Sequence, residues 1–124
     1  MTALVIVDHG SKREAANRML QQMCELVLGQ AAGRYMCVRP AHMELAEPTL
    51  GQAIDACVAD GATTVIISLL FLAPGRHATA DIPALVAESA TAHPGLEIHL
   101  AEPLGLDALL ADLLIKRADQ ARSG

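Results

Sequence analysis

A chain of 124 residues is one domain of ordinary size, long enough to bury a core without disulfides or a structural metal and too short for a second domain. With 52% hydrophobic residues but one Tyr, one Phe and no Trp, the core must be built from Ala, Leu, Ile and Val, and the aromatic platforms on which single-stranded nucleic acid stacks are missing. A formal net charge of -5 argues against a general electrostatic grip on DNA, RNA or anionic lipid, because such binding needs clustered Lys and Arg.

In chain order, Leu4 to Val7 is a short apolar, β-branched run, as expected of a strand buried on both faces of a parallel sheet. It empties into Asp8-His9-Gly10-Ser11, where Ser11 and Glu14 have the spacing of a capping box. From Lys12 to about Gln30, Ala15, Met19, Met23, Leu26 and Val27 recur at helical spacing, and Gly29 and Gly33 offer stops. Tyr35 to Val38 is a weaker strand, followed by His42, Glu44 and Glu47 in a loop. Pro48 and Thr49 open a helix to about Asp60 that buries Leu50, Ile54, Cys57 and Val58.

Thr63 to Leu70 is the strongest strand, and the loop from Phe71 to Ala78 leads to a helix over about Thr79 to Ala92 with Pro83 in its first turn. After the turn His93-Pro94-Gly95, Glu97 to Ala101 alternates like an edge strand with His99 facing solvent. The last helix, Leu106 to about Arg122, carries Leu109, Leu110, Leu113 and Leu114 as a stripe. Strand and helix therefore alternate four times, which predicts a single α/β domain over residues 1–124: a four-stranded parallel sheet with helices on both faces.

The widely spaced Cys24, Cys37 and Cys57 fit buried thiols in a reducing compartment. The N-terminus lacks the basic flank and cleavage site of a signal peptide, and no apolar run approaches the ~20 residues of a membrane span. A soluble cytoplasmic protein is the expectation, with no nucleic acid and no membrane among its partners.

In a parallel sheet every strand-to-helix loop emerges at one edge. Read in order, those loops carry His9, Ser11 and Lys12; then His42, Glu44 and Glu47; then Arg76 and His77; then Glu102. His93 falls at the opposite edge. Imidazoles and carboxylates brought together from separate loops suit a divalent transition metal such as cobalt, iron, nickel or zinc. The alternative is that each loop histidine hydrogen-bonds to backbone, and no local metal-binding motif or Gly-rich phosphate loop decides between the two. Ser11 has the same ambiguity as a helix cap. Lys12 and Arg13 open a helix where cations oppose the macrodipole, a conflict that an anionic ligand would relieve.

Four segments together, Asp8-His9-Gly10-Ser11, His42-Met43-Glu44-Leu45-Ala46-Glu47-Pro48, Phe71-Leu72-Ala73-Pro74-Gly75-Arg76-His77 with Asp81-Ile82-Pro83, and Glu102-Pro103-Leu104-Gly105, resemble the small CbiX-type class II sirohydrochlorin chelatases over nearly the whole chain. The resemblance implies a chelatase-like, flavodoxin-like half-domain acting as a homodimer. The implied reaction is ATP-independent insertion of a divalent metal into a tetrapyrrole in cobalamin biosynthesis, cobalt first, with iron for sirohaem or nickel as alternatives and no permanently bound cofactor.

It carries His9 and His77 over as the catalytic pair and as metal ligands, with Glu44 added as a further metal-ligand candidate. Ser11, Lys12, Arg13 and Arg76 become candidate contacts for the carboxylates of sirohydrochlorin. A non-catalytic tetrapyrrole or metal carrier is the reading from another class. A flavodoxin-like flavin site is disfavoured because the first loop lacks the usual run of Ser, Thr and Gly donors.

Overall fold

The continuous apolar run near the N-terminus becomes strand β1 (Thr2–Asp8), whose residues from Ala3 to Val7 are all buried. A strand apolar on both faces needs cover on both, and the architecture supplies it. The computed structural model describes residues 1–73 and 75–123, without the side chains of residues 76–80. Along it run α1 (Glu14–Gln30), β2 (Val38–His42), α2 (Leu50–Ala59), β3 (Thr64–Leu69), α3 (Arg76–Ala92), β4 (Glu97–Pro103) and α4 (Ala108–Ser123). The four strands form one sheet in the order β2-β1-β3-β4, and every pairing is parallel.

Two apolar clusters hold the layers together. On one face Ala3, Val5 and Val7 of β1 and Val65, Ile67 and Leu69 of β3 meet Leu50, Ala53, Ile54 and Cys57 of α2 and Ile82 of α3. Fully burying a side chain such as Leu50 or Ile54 contributes about 2 kcal/mol each. On the other face Leu4 and Ile6 pack against Leu20 and Cys24 of α1, with Val27, Tyr35 and Val38 beside them.

Several boundaries differ from the sequence reading, each for an identifiable reason. The second strand is Val38–His42 rather than 35–38, and it contains Pro40. β2 is an edge strand, so the missing N–H of a proline can face outward without breaking the ladder. The buried face of α1 is Leu20 and Cys24, not the exposed Met19 and Leu26.

The Ser11–Glu14 capping box does not form; α1 starts at Glu14 and its cap residue Arg13 has no side-chain hydrogen bond. A full capping box stands instead at α2, where the Thr49 hydroxyl accepts from the Gln52 N–H and the Gln52 side chain accepts from the Thr49 N–H. α3 begins at Arg76, so Arg76 and His77 lie in its first turn rather than in a loop, and Pro83 lies inside the helix. The leucine stripe of α4 forms, but no α4 residue is buried.

Candidate functional site

From β1 the chain steps outward to β2 and then crosses over to β3 on the other side of β1, so the strand order reverses between β1 and β3. The crevice outside the C-terminal ends of those two strands is where open parallel sheets bind ligands. His9 follows β1 directly, and the segment after β3 runs through Phe71 to the start of α3.

Backbone hydrogen bonds continue past the strand ends and stitch the loops together. The Met43 and Glu44 N–H groups donate to the carbonyls of Asp8 and His9 at 3.0 and 3.2 Å, and the Leu70 N–H donates to Val7 at 2.8 Å. On the far side the Leu104 and Gly105 N–H groups donate to Phe71 and Leu72 at 2.9 and 2.8 Å. The exits of all four strands thereby form one connected rim, and Glu44 is fixed beside His9.

Gly10 makes that approach possible. Its φ is +89°, and a Cβ at this position would lie 1.9 Å from the Glu44 carbonyl oxygen. Only glycine accepts both the left-handed backbone and the contact. Behind it, the Asp8 carboxylate accepts from the Gly10 N–H at 3.0 Å and meets His42 Nδ1 at 2.6 Å through the same oxygen.

The His9 ring is exposed and stacks on Phe71, with centroids 4.2 Å apart and planes 26° from parallel. A stacked imidazole has a restricted orientation but keeps its ring edge, where both nitrogens sit, available for a cation or a proton. Glu44 is exposed beside it.

The other candidates divide clearly. Ser11 is tied into the turn: its hydroxyl accepts from the Arg13 N–H, its own N–H donates to Asn17 Oδ1, and its carbonyl accepts from Asn17 Nδ2 at 2.7 Å. Lys12 and Arg13 are exposed before α1. Glu47 accepts from Gln52 Nε2 at 2.6 Å, and Glu102 is exposed on β4. The side chains of Arg76 and His77 fall outside the described residues, although their backbone opens α3. Among the described residues no three His, Cys, Asp or Glu side chains converge into a group that could hold a metal ion.

His42 differs most from the sequence reading. It is 2% exposed rather than a loop ligand, and it ends β2 paired to Asp8. It also lines a cavity of about 240 Å³ with Glu14, Asn17, Arg18, Gln21 and Glu47. His93 pairs with Asp55 at 2.6 Å at the opposite edge, and His99 is exposed beside Glu97.

The cysteines take no part in the site: burial pushes the Cys24 thiol up to about 11 and the Cys57 thiol up to about 12. Sequence reasoning missed Phe71, Asn17 and the Asp8–His42 pair. Phe71, Asp8 and His42 stand in the segments that carry the resemblance, but sequence does not say which of them touch, and Asn17 has no motif signal; only Gly10 after His9 hinted at a close backbone approach.

A family model, CbiX, matches residues 3–121. The chain belongs to the CbiX family. Within it, the chain is 41% identical over 120 residues to the chloroplastic sirohydrochlorin ferrochelatase of Arabidopsis thaliana, covering 97% of this chain and 52% of that protein. It is 34% identical over 125 residues to the sirohydrochlorin cobaltochelatase of Methanosarcina barkeri, covering 95% of each.

The solved structure of the sirohydrochlorin chelatase SirB from Bacillus subtilis subspecies spizizenii in complex with cobalt matches with a TM-score of 0.86 at 28% identity, over 96% of this chain and 50% of that one. This CbiX chain therefore spans about half the length of the plant and Bacillus proteins and nearly all of the archaeal one.

Proposed function

We propose that this CbiX protein inserts a divalent metal into sirohydrochlorin without ATP. The reaction exchanges two pyrrole N–H protons for one M²⁺, so the site must hold a partly desolvated cation and accept two protons. The observation that carries the reading is the exposed His9 imidazole, stacked on Phe71 at the topological switch point with Glu44 bonded to its backbone. A neutral imidazole near pH 7 serves either task. His77, in the first turn of α3 after the neighbouring strand, is the partner ligand or base, and Glu44 assists with the cation or the protons. Lys12, Arg13 and Arg76 meet the peripheral carboxylates, which reconciles an acidic protein with an acidic substrate. Ser11 shapes the turn that carries Lys12 and Arg13. A homodimer encloses the flat macrocycle better than one open sheet edge.

Cobalt is the proposed metal, supported by the archaeal relative of matching length and by the cobalt complex of SirB. The plant relative's name favours iron as the second reading. Anaerobic metal insertion, followed by the absorbance change of sirohydrochlorin with Co²⁺, Fe²⁺ and Ni²⁺ in turn, tests the proposal. Acceleration over the uncatalysed rate, fastest with Co²⁺, is expected. Tight sirohydrochlorin binding without acceleration by any of the three would replace the enzyme with a carrier.

A further inference from the structure

Exposed leucines gather where the rim opens. Leu45 is 58% and Leu72 68% exposed, and Leu104 is exposed as well. Each is tied to His9 through its own loop. Leu45 follows Glu44, whose N–H donates to the His9 carbonyl at 3.2 Å. Leu72 follows Phe71, on which the His9 ring stacks, and the Leu104 N–H donates to the Phe71 carbonyl at 2.9 Å. A single exposed leucine is ordinary on a protein surface. Three from three loops around one exposed imidazole, at the crevice of a parallel sheet, form a contact surface.

Leu45 adds backbone strain. Its φ is +68°, in the left-handed region that a bulky L residue enters at a cost. Ala32, the other non-glycine residue with positive φ among the described residues, directly follows the C-cap of α1, where helices ordinarily end in this way. Leu45 ends no helix; it lies in the link between β2 and α2. The chain thus holds a large apolar side chain out to solvent from a strained backbone, which the fold of the protomer does not explain. Strain of this kind collects at ligand clamps.

We infer that Leu45, Leu72 and Leu104 seat one face of the tetrapyrrole and hold its central nitrogens over the His9 imidazole. A flat macrocycle with carboxylates on its periphery is apolar across its face and anionic at its edge. The rim matches both, with leucines around His9 and the exposed cations Lys12 and Arg13 farther along the loop to α1. The inference rests on the chelatase reading and names the residues that grip the ring.

Titration of metal-free sirohydrochlorin, followed by the absorbance of the tetrapyrrole, tests the seat in wild type, Leu45→Asn, Leu72→Asn and Leu28→Asn. Asn accepts a left-handed backbone, so Leu45→Asn removes the apolar side chain without adding strain and is expected to melt as the wild type does. Binding about tenfold weaker is expected in each rim variant, the size of one leucine partly withdrawn from an apolar contact. Leu28, exposed near the end of α1, is the control, and its variant should bind as wild type. In metal insertion the rim variants should raise KM for sirohydrochlorin and leave kcat nearly unchanged, the pattern of binding shared by ground and transition states.

A wild type that binds sirohydrochlorin and speeds insertion, matched by both rim variants, would overturn the seat and leave the chelatase standing. Loss of self-association in sedimentation equilibrium without loss of sirohydrochlorin affinity would also overturn it and give the patch to a second copy. Weakened binding by the rim variants of a protein that inserts no metal would keep the seat and remove the chelatase. A wild type that binds no sirohydrochlorin would sink both.

Discussion

A methyl group on Gly10 would press to within 1.9 Å of the Glu44 carbonyl oxygen in a backbone already at φ +89°. Gly10→Ala is therefore expected to destabilise the protein by about 1–3 kcal/mol from backbone strain alone, with further loss from the displaced rim. A thermal melt checks this, and an unchanged melting temperature would contradict the close approach. Asp8→Asn should lower stability by about 2 kcal/mol in the same measurement, because it weakens the partner of the buried His42.

The thiols give a pH signature. Their folded-state values of about 11 and about 12 stand above the ordinary 9.0, so the unfolded chain loses these protons first. Their contribution to stability is complete below about pH 9 and declines as pH rises toward 11 to 12. Denaturant midpoints between pH 8 and 11 should fall with pH, less steeply in Cys57→Ala. At this scale the sequence revealed which residues could do chemistry and not which would be buried. His42 read as a loop residue because Pro40 hid the strand that swallows it.

Elements were legible in number and type because each has its own period, from the unbroken apolar run of β1 to the leucine spacing of α4. Boundaries failed where a tertiary partner outweighed the local signal. Ser11 has the right spacing to Glu14 for a cap, but Asn17 binds both its N–H and its carbonyl and holds it one turn away. The Thr49–Gln52 capping box is complete, so Thr49→Ala should cost about 1 kcal/mol of stability by chemical denaturation. Ser11→Ala, lacking a helix-capping role, should cost less. Equal losses in the two variants would contradict the assignment of the caps. α1 shows the same limit: two helical stripes were available, and only packing against Leu4 and Ile6 selects Leu20 and Cys24 over Met19 and Leu26.

At the scale of the molecule, the α/β class follows from the alternation of elements, whereas the strand order β2-β1-β3-β4 arises from pairings that no local pattern encodes. That order makes the functional reading specific, because it turns four equivalent loops into a single switch point flanked by His9 and the start of α3.

The central claim is that His9 and His77 handle the metal. Its most direct test is the rate of Co²⁺ insertion into sirohydrochlorin by wild type, His9→Ala and His77→Ala, with thermal melts confirming that each variant is folded. Losses of about 100-fold or more in both folded variants are expected, in line with the removal of a positioned acid–base group. Near-wild-type turnover in both would contradict it.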